Sequence, residues 1–266
     1  NSCFIVVSKS GNTIETITNL NLVLSKIKLR NKLVIITEIN DNSLFHLANK
    51  FNAEIIEHKN YIGGRYSVLS EPGMFPAELM GLKAEKFRNL EKLINNKIFS
   101  SCLIKNVSTI YSLFLKNINN SVILNYDSNS SGLCEWYKQI ISESLGKKGK
   151  GITPIISNCP KDHHSILQLY LDGPKNKFFT FFSSTIDNKR INSVVNAQSK
   201  AVKNVFKKKK IPFREFFFNK KNESELGNVF TFFVLETILL SKLMKVDPFN
   251  QPSVEEIKTE TKKILG

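Results

Sequence analysis

Three stretches of this chain carry residue types at spacings suited to chemistry. The first is Ser8-Lys9-Ser10-Gly11-Asn12-Thr13, between the apolar run Cys3-Phe4-Ile5-Val6-Val7 and a helical pattern. A strand that ends in hydroxyl residues and a glycine, then opens into a helix, aims backbone N–H groups, hydroxyls and an ammonium at one point. That is the chemistry of a phosphate cradle, with Gly11 permitting close backbone approach and the helix dipole adding attraction. A plain strand-to-helix turn has the same outline, so the hexapeptide alone leaves both readings open. The second stretch centres on Glu143, which falls on the same helical face as Leu133, Trp136, Tyr137 and Ile140. A carboxylate there is either a general base held among apolar groups or a helix-end residue that escapes to solvent. Lys147, Lys148 and Lys150 follow, and Gly146, Gly149 and Gly151 let the chain bend away.

The third stretch begins at Asp162, which reads as a helix N-cap. His164, Leu167, Gln168 and Leu171 then fall at i, i+3, i+4 and i+7, which predicts an imidazole and an amide on the apolar face. A first-turn position favours the neutral imidazole, which can shuttle protons; a hydrogen-bonded core histidine has the same pattern. His163 points elsewhere and reads as a surface or capping group. Two punctuated stretches add charge. Gly63-Gly64-Arg65-Tyr66-Ser67 suits a guanidinium presented to an oxyanion, or an exposed turn. Pro248 to Lys258 reads as a turn feeding a terminal helix, with Lys258 on one of its faces.

The elements that must position these groups alternate as in a parallel α/β fold. Strands are predicted at 3–7, 32–37 and 54–57, with a helical stripe of Ile14, Ile17, Leu20, Leu24 and Ile27, and helices at 43–51 and 76–87. These make one lobe, 1–95. A second alternation predicts helices at 108–117, 133–145, 163–171, 191–206 and 223–244, and strands at 121–126, 153–156, 177–182 and 213–218. It forms a second lobe, 96–245, followed by a C-terminal turn and helix, 246–266.

At 266 residues and 41% hydrophobic, the chain can bury cores in more than one lobe. The longest apolar candidate, Val229 to Leu240, is broken by Thr231, Glu236 and Thr237, so no membrane span and a soluble protein are expected. Cys3, Cys102, Cys134 and Cys159 show no paired spacing, which indicates neither a zinc site nor a disulfide framework and fits a reducing cytoplasm. A net charge of +15, from 38 Lys+Arg and 23 Asp+Glu, suits an anionic substrate, and equally nucleic acid. Lys207 to Lys210, with Lys203, Lys220 and Lys221, lie near Phe206 and Phe213, but no nucleic-acid module accompanies them, and they read as solvated surface. Phe216 to Phe218, Phe230, Phe232 and Phe233 read as core. Asn1 is not an initiator methionine, and no signal segment precedes the first strand, so the chain reads as truncated at its start.

Five segments, in order, resemble the glucose-6-phosphate isomerase family: Ser8 to Thr16, Gly63 to Ser70, Glu143-Ser144-Leu145-Gly146-Lys147, His164 to Gln168, and Pro248-Phe249-Asn250-Gln251-Pro252 with Val254, Glu255 and Lys258. Asn12 stands where a threonine is common and Leu145 where some members have asparagine. The resemblance implies two tandem flavodoxin-like sugar-isomerase (SIS) domains with central parallel sheets flanked by helices, the first incomplete. It implies a cytoplasmic homodimer with shared active sites that interconverts glucose 6-phosphate and fructose 6-phosphate in glycolysis and gluconeogenesis without metal or organic cofactor. Carried over by position, Ser8, Lys9, Ser10 and Thr13 hold the phosphate, with Gln251 at that end. Glu143 moves the proton between C2 and C1, Arg65 stabilises the cis-enediolate, and Gly64 lines the pocket. His164, reaching the neighbouring subunit, and Lys258 assist ring opening. The missing start would hold a Gly-Gly-Ser turn that touches substrate, so the isolated fragment is expected to be inactive. A non-catalytic sugar-phosphate sensor of the same domain type is the alternative; it would need the cradle but neither Glu143 nor Lys258.

Overall fold

The structure, a computed structural model, describes residues 3–26, 33–185 and 189–265; Ile27 and Lys32, which the pattern assigns to the first helix and second strand, lie outside them. The chain divides into two compact units, Asn1–Asn89 and Leu90–Gly266. Both are α/β with parallel sheets.

In the first unit, β1 (Phe4–Val7), β2 (Leu33–Thr37) and β3 (Glu54–Glu57) form a sheet in that order, with Val6 opposite Ile35 and Ile35 opposite Ile55. α1 (Ile14–Lys26) and α2 (Ser43–Phe51) supply the connections. Ile35 and Ile36, on opposite faces of β2, are both fully buried, which is why the middle strand is a continuous apolar run and does not alternate. Asn42 caps α2, its Oδ1 accepting from Phe45 N at 2.9 Å, and Asn52 ends it in the left-handed region. A 3₁₀ turn, Gly64–Leu69, leads into α3 (Glu71–Leu79) and α4 (Ala84–Phe87). The single helix predicted at 76–87 is therefore two: α3 starts after Ser70 with a proline in its first turn, and Gly81, at φ +83°, breaks the run.

The second unit opens with α5 (Leu90–Ile94) and α6 (Lys97–Leu115). It continues with β4 (Asn120–Asn125), α7 (Ser131–Leu145), β5 (Thr153–Asn158), α8 (Leu167–Asp172), β6 (Lys177–Ser184), α9 (Lys189–Lys208), β7 (Phe213–Phe218), α10 (Glu223–Met244) and α11 (Pro252–Leu265). The sheet order is β5-β4-β6-β7, all parallel, so the carboxyl ends of four strands share one edge. α6 starts eleven residues before the predicted 108, at the cap formed by Asn96 Oδ1, which accepts from Ile98 N and Phe99 N at 2.9 and 3.1 Å. Its early turns interleave Ser100, Ser101 and Cys102 with the apolar positions, which blurs the period.

Phe179, Phe181 and Phe206 fill one side of the sheet, and Phe182 and Phe233 pack with Phe216 near the other helices. Phe217 departs from the predicted core: it is half exposed, because alternate residues of β7, an edge strand, face opposite ways. α6 and α10 are long and apolar enough to cross a membrane by length and composition, which corrects the expectation that no segment is. α10 is a core helix of this unit, with Phe233, Glu236, Thr237, Leu240 and Ser241 buried.

Glu236 is part of a polar knot. The Arg214 guanidinium on β7 pairs with both of its oxygens and also donates to Asn106 Oδ1 (2.9 Å), Thr180 Oγ1 (2.9 Å) and Tyr137 OH (3.2 Å). Asn106 donates to Glu236 in turn, so one ion pair ties α6, α7, β6, β7 and α10 together. Burial works against the Arg214 charge; Glu236 and the Tyr137 hydroxyl outweigh it and hold the guanidinium ionised.

Candidate functional site

In the first unit, the loop after β1 turns from strand to helix. Ser8 N donates to Ile36 O (3.1 Å), carrying the strand one residue on, and Gly11 N turns back onto Ser8 O at 3.2 Å. Gly11 sits at φ +63°, and α1 opens two residues after Asn12. The hydroxyls of Ser8 and Thr13 are 2.7 Å apart across the mouth of the turn, while Ser10 and Thr13 are exposed. Asn12 Oδ1 accepts from Ser43 N (3.0 Å) and Ser43 Oγ (2.8 Å), fastening the loop to α2.

Lys9 reaches beyond its own turn. Its ammonium donates to the Asn60 carbonyl at 2.8 Å and lies 3.5 Å from Glu38 Oε1. Lys9 follows β1, Glu38 follows β2 and Asn60 follows β3, so one side chain joins the loops at the carboxyl ends of all three strands. Beside it, Glu38, Asn40, Lys59, Asn60 and Tyr61 line a cavity of about 310 Å³. Neither Glu38 nor Asn60 was legible as a site residue; the available signal was that each lies just past the end of an apolar strand.

Arg65 stands in the 3₁₀ turn and is only 6% exposed, with its guanidinium 5.5 Å from the centre of the Tyr66 ring. Ser67 Oγ donates to Gly64 O at 2.7 Å, which holds the turn closed. A Cβ built on Gly64 meets nothing within 4 Å, so the protein itself does not require glycine there.

In the second unit, α7 buries Leu133, Cys134, Tyr137, Ile140, Ile141, Ser144 and Leu145. Trp136 and Glu143, which the spacing places on the apolar stripe, are half-buried at the flank of that face, because the buried face is turned one position toward Cys134, Ile141 and Ser144. Gln139 Nε2 donates to Glu143 Oε1 at 3.0 Å, orienting the carboxylate one helical turn away. Lys147 folds back under the helix end, donating to Glu143 O (2.8 Å), Ser144 O (2.9 Å) and Asp247 O (2.6 Å).

The two histidines exchange their predicted places. The continuous helix expected from 163 is a 3₁₀ turn, Lys161–His164, followed by the short α8. Asp162 does not cap it forward; its Oδ2 accepts from Asn158 N (2.7 Å) and Ser157 Oγ (3.0 Å), back toward β5. The tighter 3₁₀ period rotates His164 and Gln168 off the apolar face, and both are exposed. His163 turns inward instead, with Nε2 2.6 Å from Tyr126 OH and its ring edge-on to that tyrosine. Burial, then the neighbouring His164, holds the His163 pKa below its ordinary value; burial raises that of Tyr126.

At the C-terminus, Gln251 is half-buried and leads into α11, which buries none of its residues. Lys258 is exposed and pairs with Glu255 Oε1 at 2.7 Å. The structure thus gathers Ser8, Lys9, Ser10 and Thr13 in one loop, places Gly64 and Arg65 in the same unit, and puts Glu143, His164, Gln251 and Lys258 in the other. Among the described residues, no cluster of three or more His, Cys, Asp or Glu is set to hold a metal ion.

Comparison with known proteins adds to this geometry. Residues 1–166 match the family model described as phosphoglucose isomerase. The chain is 32% identical over 282 residues to the glucose-6-phosphate isomerase of Methanocaldococcus jannaschii, covering 97% of this chain and 70% of that protein. It is 28% identical to the enzyme of the same name from Campylobacter jejuni, covering 100% of this chain and 72% of that one. The chain spans 62% of the length of a Methanococcus maripaludis relative with a similar name. The crystal structure of a glucose-6-phosphate isomerase from Chlamydia trachomatis superposes with a TM-score of 0.81 at 17% identity, over 99% of this chain and 59% of that one; it shares the fold.

Proposed function

The chain belongs to the phosphoglucose isomerase family, and we propose that it interconverts glucose 6-phosphate and fructose 6-phosphate by carrying a proton between C2 and C1 of the open-chain sugar. Glu143 removes the proton from C2 and returns it at C1. Removing a proton next to a carbonyl leaves charge on oxygen, so the reaction needs a base and a fixed cation. Arg65, buried and braced in its 3₁₀ turn, is that cation for the cis-enediolate. Ser8, Lys9, Ser10 and Thr13 grip the phosphate, Gln251 contacts it from the C-terminal segment, and the open space at Gly64 leaves room for the sugar. His164 and Lys258 open the pyranose ring.

The observation that carries this reading is the Glu143 carboxylate: half-buried, steered by the Gln139 amide at 3.0 Å, and inside the matched span of the family. Residues 1–95 then belong to a first SIS domain, 96–245 form a second, and 246–266 bring Gln251 and Lys258 to the site. The working form is a cytoplasmic homodimer, and the exposure of His164 suits a side chain that completes the neighbouring subunit's site. In the full-length protein, Glu143→Gln should abolish isomerisation, since a placed general base is worth about 10²- to 10⁴-fold, while a phosphorylated sugar-acid analogue still binds. Turnover retained in that variant overturns the assignment.

A further inference from the structure

We propose that Lys147 and Lys150 form a two-pronged clamp that sets the Glu143-bearing end of α7 against the segment leading to Gln251 and Lys258, so that both lysines are positioning residues for the isomerase. The inference rests on Glu143 acting as the base.

A run of lysines and glycines after a helix ordinarily reads as a solvated surface turn. Here both ammonium groups fold back onto backbone carbonyls. Lys147 Nζ has three protons to give and donates to three carbonyls, Glu143 O (2.8 Å), Ser144 O (2.9 Å) and Asp247 O (2.6 Å). Lys150 Nζ donates to Met244 O (2.8 Å), the last residue of α10. Glu143 O, Ser144 O and Met244 O are carbonyls that helix ends leave unsatisfied, where the dipole is negative and a cation is favoured, and Asp247 O lies in the loop just past α10.

The two prongs are joined by a tight turn. Lys147 N donates to Lys150 O (3.0 Å) and Lys150 N to Lys147 O (2.9 Å), with Lys148 at φ +53° and Gly149 at φ +69° between them. Positive φ at both central residues is the geometry of the narrow primed turns, which fixes the spacing of the two side chains. One prong therefore grips Asp247 and the other Met244, three residues apart at the start of the chain's last segment, about a hundred residues from the lysines. Gln251 follows Asp247 by four residues, and Lys258 lies on α11 just beyond. The carbonyl of Glu143 itself is one of the gripped atoms, so the backbone that carries the base and the backbone that leads to Gln251 share one ammonium. A displacement of about 1 Å in such a placement costs on the order of 10²-fold in rate.

The test uses full-length protein, with kcat and KM for glucose 6-phosphate, thermal unfolding, and Glu143→Gln as the control. Lys147→Met is expected to lower kcat about 10- to 100-fold, with KM within about twofold of wild type. Lys147→Arg, which keeps donors at that end, should recover part of kcat, and Lys147→Met/Lys150→Met together should lose less than the product of the single losses. If Lys147→Met does not fold, Lys147→Gln carries the same split. Wild-type kcat in a folded Lys147 variant, with Glu143→Gln inactive, overturns the clamp alone; so does a raised KM at unchanged kcat, which makes Lys147 a substrate-binding cation. Turnover in Glu143→Gln overturns the base, and the clamp's purpose with it.

Discussion

Asn42 Oδ1 occupies the place a side chain on Gly11 would need: a Cβ built there would lie 1.7 Å from it. The same oxygen caps α2, and Gly11 O accepts from Leu44 N at 3.0 Å, so the cradle loop and the α2 cap are one interlocked unit. Gly11 is glycine for two reasons at once, its left-handed backbone and the neighbour's oxygen. Gly11→Ala should therefore cost stability, with about 1 kcal/mol from the left-handed conformation and more from the lost Asn42 cap, about 0.5–2 kcal/mol. Denaturant unfolding measures the loss, and Asn42→Ala should recover part of it by clearing the space. A Gly11→Ala protein as stable as wild type would show that the loop relaxes freely.

Lys9→Ala should raise KM for the sugar phosphate more than it lowers kcat, because the phosphate is a handle remote from C1 and C2. The variant also frees Glu38 and the Asn60 carbonyl, which now share the ammonium. Steady-state kinetics on full-length protein reads the split. A KM unchanged from wild type would remove Lys9 from the cradle.

The turn from Ser8 to Thr13 was legible in the sequence because it is contiguous, and its geometry follows from strand, glycine and helix. The strands were legible for a similar reason, since a parallel sheet covered on both faces demands unbroken apolar runs such as Leu33 to Ile36. The junction of Lys9 with Glu38 and Asn60 was not, because it depends on three strands ending at one edge. The placement of His164 on the apolar face misled because helical arithmetic assumes 3.6 residues per turn, and Lys161–His164 is a 3₁₀ turn with another period. Arg214 and Glu236 lie on different elements, and nothing in either neighbourhood marks them as partners.

That ion pair joins five elements of the second unit. Removing one partner strands a charge at a site where Glu236 is fully buried. Glu236→Leu or Arg214→Met should each destabilise by about 3–5 kcal/mol. The double variant, which leaves no orphan charge, should lose less than the sum of the two. Urea unfolding of the three proteins measures the coupling; additive losses would mean that the pair does not act as a unit.

The cysteines should separate sharply in alkylation. Burial, followed by the nearby Glu135 charge, pushes the Cys134 thiol up to about 12, and burial pushes Cys159 up to about 12 as well. The thiolate is the nucleophile, so both should resist iodoacetamide at neutral pH, whereas the exposed Cys3 and Cys102 react. Peptide mass spectrometry after timed alkylation gives the order, and early modification of Cys134 would contradict the packing of α7 on the sheet.

Acid should weaken the second unit through His163. Its folded-state pKa lies below the ordinary value of 6.5, chiefly because of burial, so the neutral ring is favoured in the folded protein. In that state Nε2 and Tyr126 OH, 2.6 Å apart, share a hydrogen bond. Between the two pKa values the unfolded chain binds more protons, so stability rises with pH there. The contribution is complete above about pH 6.5 and is lost as pH falls through the depressed folded-state value. Imidazole titration by NMR should place His163 below the ordinary histidine value of about 6.5. Unfolding midpoints of wild type and His163→Gln should converge as the pH drops below 6. If they stay parallel down to pH 5, the Tyr126 contact does not depend on the neutral ring.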